Sequence, residues 1–294
     1  MPMRNDDRTF APLLFRVAAV ATICLALLPF GAYAAEPKPL VLSVVPRFPA
    51  TVTHRDWSPF VDRLTQAIHQ PVELQVFNSF TEFERHTASG KADLAFINPY
   101  QMVQLRGKLG FIPLVRDGAK QLSGSLVVRN SDPITSVREL EGAQIAFPHP
   151  NSFGASLYMR AMLEREYGVH FTPIYVSTHA NVYRSVILGK VAAGGGVNIT
   201  LNQEPPAVRA QLRVIYETPG VAAHPLSAHP HLSVELREQI IDAVLRMSED
   251  AAGREILKHV TINQPVRADY AQDYQSLEGV HLERYYVDTD VNEP

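Results

Sequence analysis

Apolar residues follow two different spacings in this chain, and the two spacings alternate. Mainly apolar runs at residues 40–45, 94–97, 144–147 and 191–197 are short and lie next to Pro or Gly, as strands buried on both faces do. Between them, apolar residues recur every fourth position, as Leu157/Ala161, Tyr158/Met162 and Met159/Leu163 in one stretch and Val182/Val186 and Tyr183/Ile187 in another. This pattern predicts helices over residues 155–167 and 181–188, with a further one over 57–68. Near the C-terminus, residues 233–260 carry Leu236, Ile240, Ile241, Val244, Leu245, Ile256 and Leu257 at helical spacing and predict packing helices.

The same plan occurs twice. Residues 40–45 end in Pro46-Arg47-Phe48-Pro49 ahead of one helix, and residues 144–147 end in Pro148-His149-Pro150 ahead of another. Further along, Gly90-Lys91 and Gly189-Lys190 each close a helix before a small apolar strand, and the first of these strands leads into a loop at Asn98-Pro99-Tyr100. Strands alternating with helices imply mainly parallel sheets, in which ligands collect beyond the carboxyl ends of the strands. Two α/β lobes are therefore expected. The β-type runs 126–129 and 214–217 are expected to enter and leave the second lobe as hinge strands.

The loop after residues 144–147 has the outline of an anion site. Its Pro residues cannot extend the strand, Asn151 or Ser152 can cap the next helix, and the amides of Phe153, Gly154, Ala155 and Ser156 are donors of a first turn. Such a turn can hold a phosphate-like or carboxylate group without a cationic side chain. Many Ser-capped strand-loop-helix units bind nothing, so this turn alone does not decide the question.

The N-terminus changes the picture of the compartment. Arg4, Arg8 and Arg16 precede an apolar run at residues 17–30, and Ala32-Tyr33-Ala34 follows, the arrangement of a secretory signal peptide cleaved ahead of Ala35. The single cysteine, Cys24, lies inside that run and lacks the small residue expected just before a lipid-modified Cys. The mature chain then has no disulfide and no thiolate chemistry, and it must be stabilised by a sizeable core. The full chain carries formal charge -3, and residues 1–34 hold three Arg and two Asp, which leaves -4 for the remainder. Nucleic acid is disfavoured as a partner, and attraction for an anion must be local.

Five segments together resemble the phosphate/phosphite/phosphonate family of periplasmic solute-binding proteins of ABC transporters. They are Val45 to Pro49, Ala95-Phe96-Ile97-Asn98-Pro99-Tyr100, the loop from Asn151 to Leu157, Ser177-Thr178-His179-Ala180-Asn181-Val182-Tyr183-Arg184, and Gly194-Gly195-Gly196-Val197. The likeness runs in order over residues 40–250. It implies a two-lobed periplasmic-binding-protein fold of type II, each lobe a mainly parallel sheet flanked by helices, with two hinge strands joining them. The implied divisions are a signal peptide at 1–34, lobe 1 at 35–128, lobe 2 at 129–217, a return to lobe 1 with C-terminal helices at 218–286, and a flexible tail at 287–294. The implied function is capture of a small phosphorus oxyanion, namely phosphate, phosphite or a phosphonate, in an interlobe cleft of a periplasmic monomer, with a membrane ABC permease as partner. The alternative is the same fold read by a membrane sensor kinase.

The family holds phosphonate oxygens with a Ser-Thr-Ser loop, and here that place reads Ser152-Phe153-Gly154, so one hydroxyl is kept while the amides and Ser156 remain. Phe153 is expected to narrow the pocket or shield it from water. His179, after Thr178, matches the family's ligand-contacting His. Asn98 and Tyr100 are expected to close over the ligand from the first lobe, Arg47 to supply a bidentate contact, Tyr183 to reach the cleft from its helix, and Gly195 to let backbone approach closely. Each has a plainer alternative: surface turn, solvated Arg, core Tyr or tight strand junction. Family members that bind aminoalkylphosphonates place carboxylates at the ligand's ammonium, yet residues 194–200 and 221–224 contain none. A compact oxyanion is expected over aminoethylphosphonate. No cofactor and no metal is expected, although His224, His229 and His231 form a His-rich stretch. No nucleophile elbow, zinc helix or phosphate-binding Gly-rich loop is present, so no catalysis is expected.

Overall fold

The computed structural model describes Met1 and residues 38–287, so the expected signal peptide, apart from Met1, and the tail beyond Val287 lie outside the described residues. Strand β1 is Leu40–Val44, followed by helix α1 at Ala50–Ile68 and strand β2 at Val72–Gln75. Helix α1 starts seven residues before the expected 57, because its first two turns are polar and give no apolar period; its inner face is Trp57, Phe60, Val61, Leu64 and Ile68. Next come α2 at Phe80–Ala88, β3 at Leu94–Phe96, α3 at Pro99–Leu109 and β4 at Ile112–Asp117.

The second lobe opens with β5 at Gly124–Arg129 and β6 at Gln144–Phe147. A π-helical turn, Phe153–Leu157, runs directly into α4 at Tyr158–Tyr167. Then follow β7 at Thr172–Tyr175, α5 at His179–Ile187, β8 at Ala193–Val197, the short helices α6 at Asn198–Gln203 and α7 at Pro206–Arg209, and β9 at Leu212–Glu217. The chain returns to the first lobe with β10 at Leu226–Ala228, α8 at Val234–Arg246, α9 at Ala251–His259, β11 at Pro265–Arg267 and α10 at Tyr270–Asp273.

The two sheets are mixed. In the first, ordered β11-β4-β10-β3-β1-β2, the pairs β1/β2 and β1/β3 are parallel while β10 and β11 run against their neighbours. In the second, ordered β7-β6-β8-β5-β9, only β5 is reversed. The fold is thus the expected two-lobed α/β one, with helices flanking both sheets. The runs expected as hinges, 126–129 and 214–217, are instead the C-terminal parts of the paired strands β5 and β9. The chain crosses between sheets at residues 118–123 and 218–225, where Leu122 and Val221 exchange backbone hydrogen bonds of 2.9 and 3.0 Å.

A third connection comes from the C-terminal segment. Leu277 and Leu282 pack with Leu157, Tyr158, Ala161 and Met162 of the second lobe. Arg160 Nη2 donates to the Tyr285 carbonyl at 2.6 Å and Arg165 Nη1 to the Val280 carbonyl at 2.6 Å. This segment, expected as part of the first lobe, therefore straps the second.

Strand β8 is pressed from both sides, and its three glycines are required by packing. A Cβ on Gly195 would stand 2.1 Å from the Ala155 carbonyl oxygen and 2.6 Å from the Phe147 ring; one on Gly196 would stand 2.2 Å from the Tyr183 hydroxyl. Gly195 thus admits the π-helical turn, not a ligand. Replacing it by Ala forces two backbones apart and should cost about 1–3 kcal/mol, as overpacked cores do. The check is the urea midpoint of Gly195→Ala; an unaltered midpoint would contradict this packing.

Candidate functional site

The carboxyl ends of the strands of both sheets open into one cavity of about 550 Å³ between the lobes. The first lobe contributes the loop from Val45 to Ala50, the start of α2 from Asn78 to Thr81, Asn98 and His224. The second contributes His149, the Ser152-Phe153-Gly154 turn, Tyr175, Ser177-Thr178-His179 and Val197, and Leu122 joins them from a crossing segment. Among the described residues, no acidic residue lines the cavity.

Five helical segments begin at its wall, namely α1, α2, α3, α5 and the π-helical turn that leads into α4. Three of these starts are already capped by their own side chains. Ser79 Oγ accepts the Glu82 amide at 3.1 Å, Asn98 Oδ1 the Gln101 amide at 2.8 Å, and Thr178 Oγ1 the Asn181 amide at 3.1 Å. The π-helical turn differs, because the Ser152 side chain makes no cap bond. Its first bonds run from the Ser156 and Leu157 amides to the Ser152 carbonyl, at 2.9 and 3.0 Å, so the amides of Phe153, Gly154 and Ala155 precede the first intrahelical bond. Gly154 also lets the turn sit on its neighbours, since a Cβ there would stand 3.0 Å from Val197.

Three basic side chains meet in the deep part of the cavity. His179 and His224 are 7% and 6% exposed, and the Nδ1 atoms of both are buried without a hydrogen-bond partner, as is Arg47 Nη1. Arg47 Nη2 donates to Thr261 Oγ1 at 2.8 Å, and its guanidinium lies 5.2 Å from the centre of the Phe96 ring. His224 stacks on the same ring at 5.6 Å. Burial, with the nearby Arg47 charge as a smaller cause, pulls the His179 pKa down to about 3. The His224 value is lowered well below the ordinary one by burial, then by Arg47 and His179. Arg47 itself is lowered to about 10 by burial. Arg47, His179 and His224 all line this acid-free space, and each keeps one buried nitrogen without a partner, a combination that favours an anion as ligand.

The lobes already touch at the cavity's rim. His149 of the second lobe stacks on Phe80 of the first, with ring centres 4.7 Å apart. Its Nδ1 accepts the Asn151 amide at 3.2 Å, which leaves the neutral ring's proton on Nε2 to donate to Thr81 Oγ1 at 3.2 Å. Burial holds the His149 pKa near 4, so the ring is neutral at pH 7. Beside it, Asn151 Nδ2 donates to Glu84 Oε2 at 3.2 Å and to the Val287 carbonyl at 2.8 Å, and Tyr286 donates to Glu84 Oε1 at 3.0 Å. The turn that brings His179 inward is strained, with Ser177 at φ 70°.

Of the residues expected at the site, Arg47, Asn98, Ser152, Phe153, Gly154, Thr178 and His179 line the cavity. Ala155, Ser156, Tyr100, Tyr183 and Gly195 do not. The Ser156 hydroxyl is buried against α4, accepting from Arg160 Nε at 3.2 Å. Asn98 caps α3 instead of heading a loop, and this turns Tyr100 into the apolar cluster around Phe153 and Leu157. Tyr183 is fully buried and bonds to Thr200 Oγ1 at 2.9 Å. Phe153 lines the cavity while its ring lies parallel to Tyr158 at 5.3 Å and packs into that same cluster. His224, His149, Phe80 and Tyr175 were not anticipated. Their shared signal is position: each lies beside a strand end or helix start that faces the cleft. His229 and His231, grouped with His224 by sequence, are instead near Asp93, with His231 Nε2 2.9 Å from its carboxylate.

Known proteins share both the pattern and the shape. The sequence profile of the ABC-transporter phosphonate periplasmic substrate-binding proteins matches residues 42–274. A Prochlorococcus marinus PhnD1 solved with methylphosphonate is 16% identical, with TM-score 0.77 over 85% of this chain and 100% of that one. The binding protein of a Pseudomonas aeruginosa ABC phosphonate transporter is 15% identical, with TM-score 0.74 over 85% and 88%. A Xanthomonas citri protein solved with ATP is 17% identical, with TM-score 0.70 over 84% and 97%. At these identities the structures establish the fold, and the profile, which spans most of the described residues, establishes that this chain belongs to the periplasmic phosphonate-binding proteins of ABC transporters.

Proposed function

We propose that this protein captures a phosphonate-type oxyanion between its lobes in the periplasm and hands it to a membrane ABC permease. The observation that carries the reading is the trio of buried, unpartnered nitrogens, Arg47 Nη1, His179 Nδ1 and His224 Nδ1, in a cavity with no acidic lining. Charged oxygens would accept from Arg47 and from whichever imidazole nitrogens carry the proton, and the Phe153 and Gly154 amides at the start of the π-helical turn add donors from the positive end of a helix. Asn98 and Thr178 are spent as caps and shape the wall, while the free Ser152 hydroxyl is a direct contact. The Arg47 guanidinium and the absence of carboxylates disfavour a ligand ammonium, so aminoethylphosphonate binds more weakly than methylphosphonate in this reading.

Export through a cleaved N-terminal signal peptide and action as a monomer complete the proposal. Transport is favoured over sensing because the family is one of transporter components. Catalysis has little support: Ser152 and His179 share the cavity, but no hydrogen bond joins them among the described residues.

Removing a charged or charge-assisted donor should cost about 1.5–3 kcal/mol of affinity, about 10- to 150-fold in dissociation constant. Titration calorimetry with methylphosphonate on Arg47→Ala and His179→Ala tests this, and unchanged affinity in both would place the ligand elsewhere. The empty protein should also be sensitive to acid. The folded values of about 4 for His149 and 3 for His179 lie below the ordinary 6.5, so the unfolded chain binds protons first as pH falls. Stability is then fully present above pH 6.5 and declines toward pH 4, by up to about 1.4 kcal/mol per pH unit for His179. Urea midpoints at pH 7.5 and 5 should fall less in His179→Asn than in the parent; equal slopes would contradict the burial of that ring.

A further inference from the structure

The cavity is much larger than a compact oxyanion, and its surplus wall is aromatic. Its volume of about 550 Å³ is of a size typical of pockets for organic ligands rather than inorganic ions. The lobes already touch at one part of the rim, where His149 meets Phe80 and Thr81 and Asn151 meets Glu84, so this is the volume of a cleft whose lobes are in contact.

The polar groups and the rings occupy different depths. The basic trio and Asn98 lie inward, with Asn98, His179 and His224 buried. Toward the mouth, Phe48 and Phe80 of the first lobe are only half-buried and Tyr175 of the second is 40% exposed. Several mouth polar atoms are already engaged: Ser79 Oγ by the Glu82 amide, Thr81 Oγ1 by His149, and both His149 nitrogens. Asn78 and Ser177 keep exposed polar side chains in the same lining, and an apolar body would cover the three part-exposed rings. Flat groups pack best against such rings.

We infer that the preferred ligand is a phosphonate bearing a flat apolar substituent, its oxyanion at Arg47, His179 and His224 and its ring at the mouth between Phe48, Phe80 and Tyr175. The inference rests on the phosphonate reading above and narrows it from any compact oxyanion to an aryl-type phosphonate. Calorimetric titration with inorganic phosphate, methylphosphonate and phenylphosphonate tests it. Phenylphosphonate should bind at least about tenfold more tightly than methylphosphonate, from the apolar area the ring buries. Phe80→Ala or Tyr175→Ala should shrink that ratio. Methylphosphonate binding as tightly as phenylphosphonate would overturn the inference and leave phosphonate capture standing, whereas no binding of any of the three would overturn both. A ratio unchanged in both variants would overturn the placement of the ring at the mouth.

Discussion

Burying a guanidinium beside two imidazoles is costly, because each loses water and the guanidinium charge disfavours a proton on either ring. Arg47, His179 and His224 bear this cost together: no carboxylate lines their cavity, and one nitrogen of each lacks an acceptor. Both His pKa values are pulled down by burial and then by the nearby Arg47 charge. An electrostatic arrangement this unfavourable when empty becomes favourable when an anion enters, so the cost of the empty state is the source of its selectivity. The five helical segments that begin at the same wall add fixed dipoles of the same sign.

The scaffold that holds these groups is tightly constrained. Gly194, Gly195 and Gly196 leave β8 without side chains, so α5 packs on one face of the strand and the π-helical turn on the other. That double contact sets where the Phe153 amide and the His179 ring point. Gly124 has the same role in β5, where a Cβ would stand 2.1 Å from the Gly154 carbonyl oxygen. Across the rim, the neutral His149 ring and the Asn151 amide tie the second lobe to α2, while the C-terminal strap crosses from the first lobe to Arg160 and Arg165.

Much of this architecture was legible in the sequence because buried strands and amphipathic helices leave distinct periods. The repeat of strand, Pro-punctuated loop and helix correctly announced two α/β lobes with their helices around the cleft. What escaped was set by tertiary contact. The start of α1 at Ala50 lies in a polar stretch with no apolar period, and 126–129 read as a hinge only because pairing partners are invisible in one dimension. At the site, residues whose backbone defines a loop, such as Ser152, Gly154 and His179, were legible and do face the cavity. Tyr183 and Gly195 were not separable from true lining, because a ring pointing inward to Thr200 and a glycine admitting Ala155 look the same in sequence as ligand contacts. His224 was hidden for a similar reason: grouping by proximity in sequence joined it to His229 and His231, whereas the strand β10 that follows carries it to the cleft.

The central claim is that the three orphaned nitrogens are an oxyanion site, and a crystal structure of the protein grown with methylphosphonate tests it most directly. The account predicts phosphonate oxygens at about 2.7–3.2 Å from Arg47 Nη1, His179 Nδ1 or His224 Nδ1 and from the first amides of the π-helical turn. A ligand bound elsewhere, with those nitrogens still unpartnered, would contradict it.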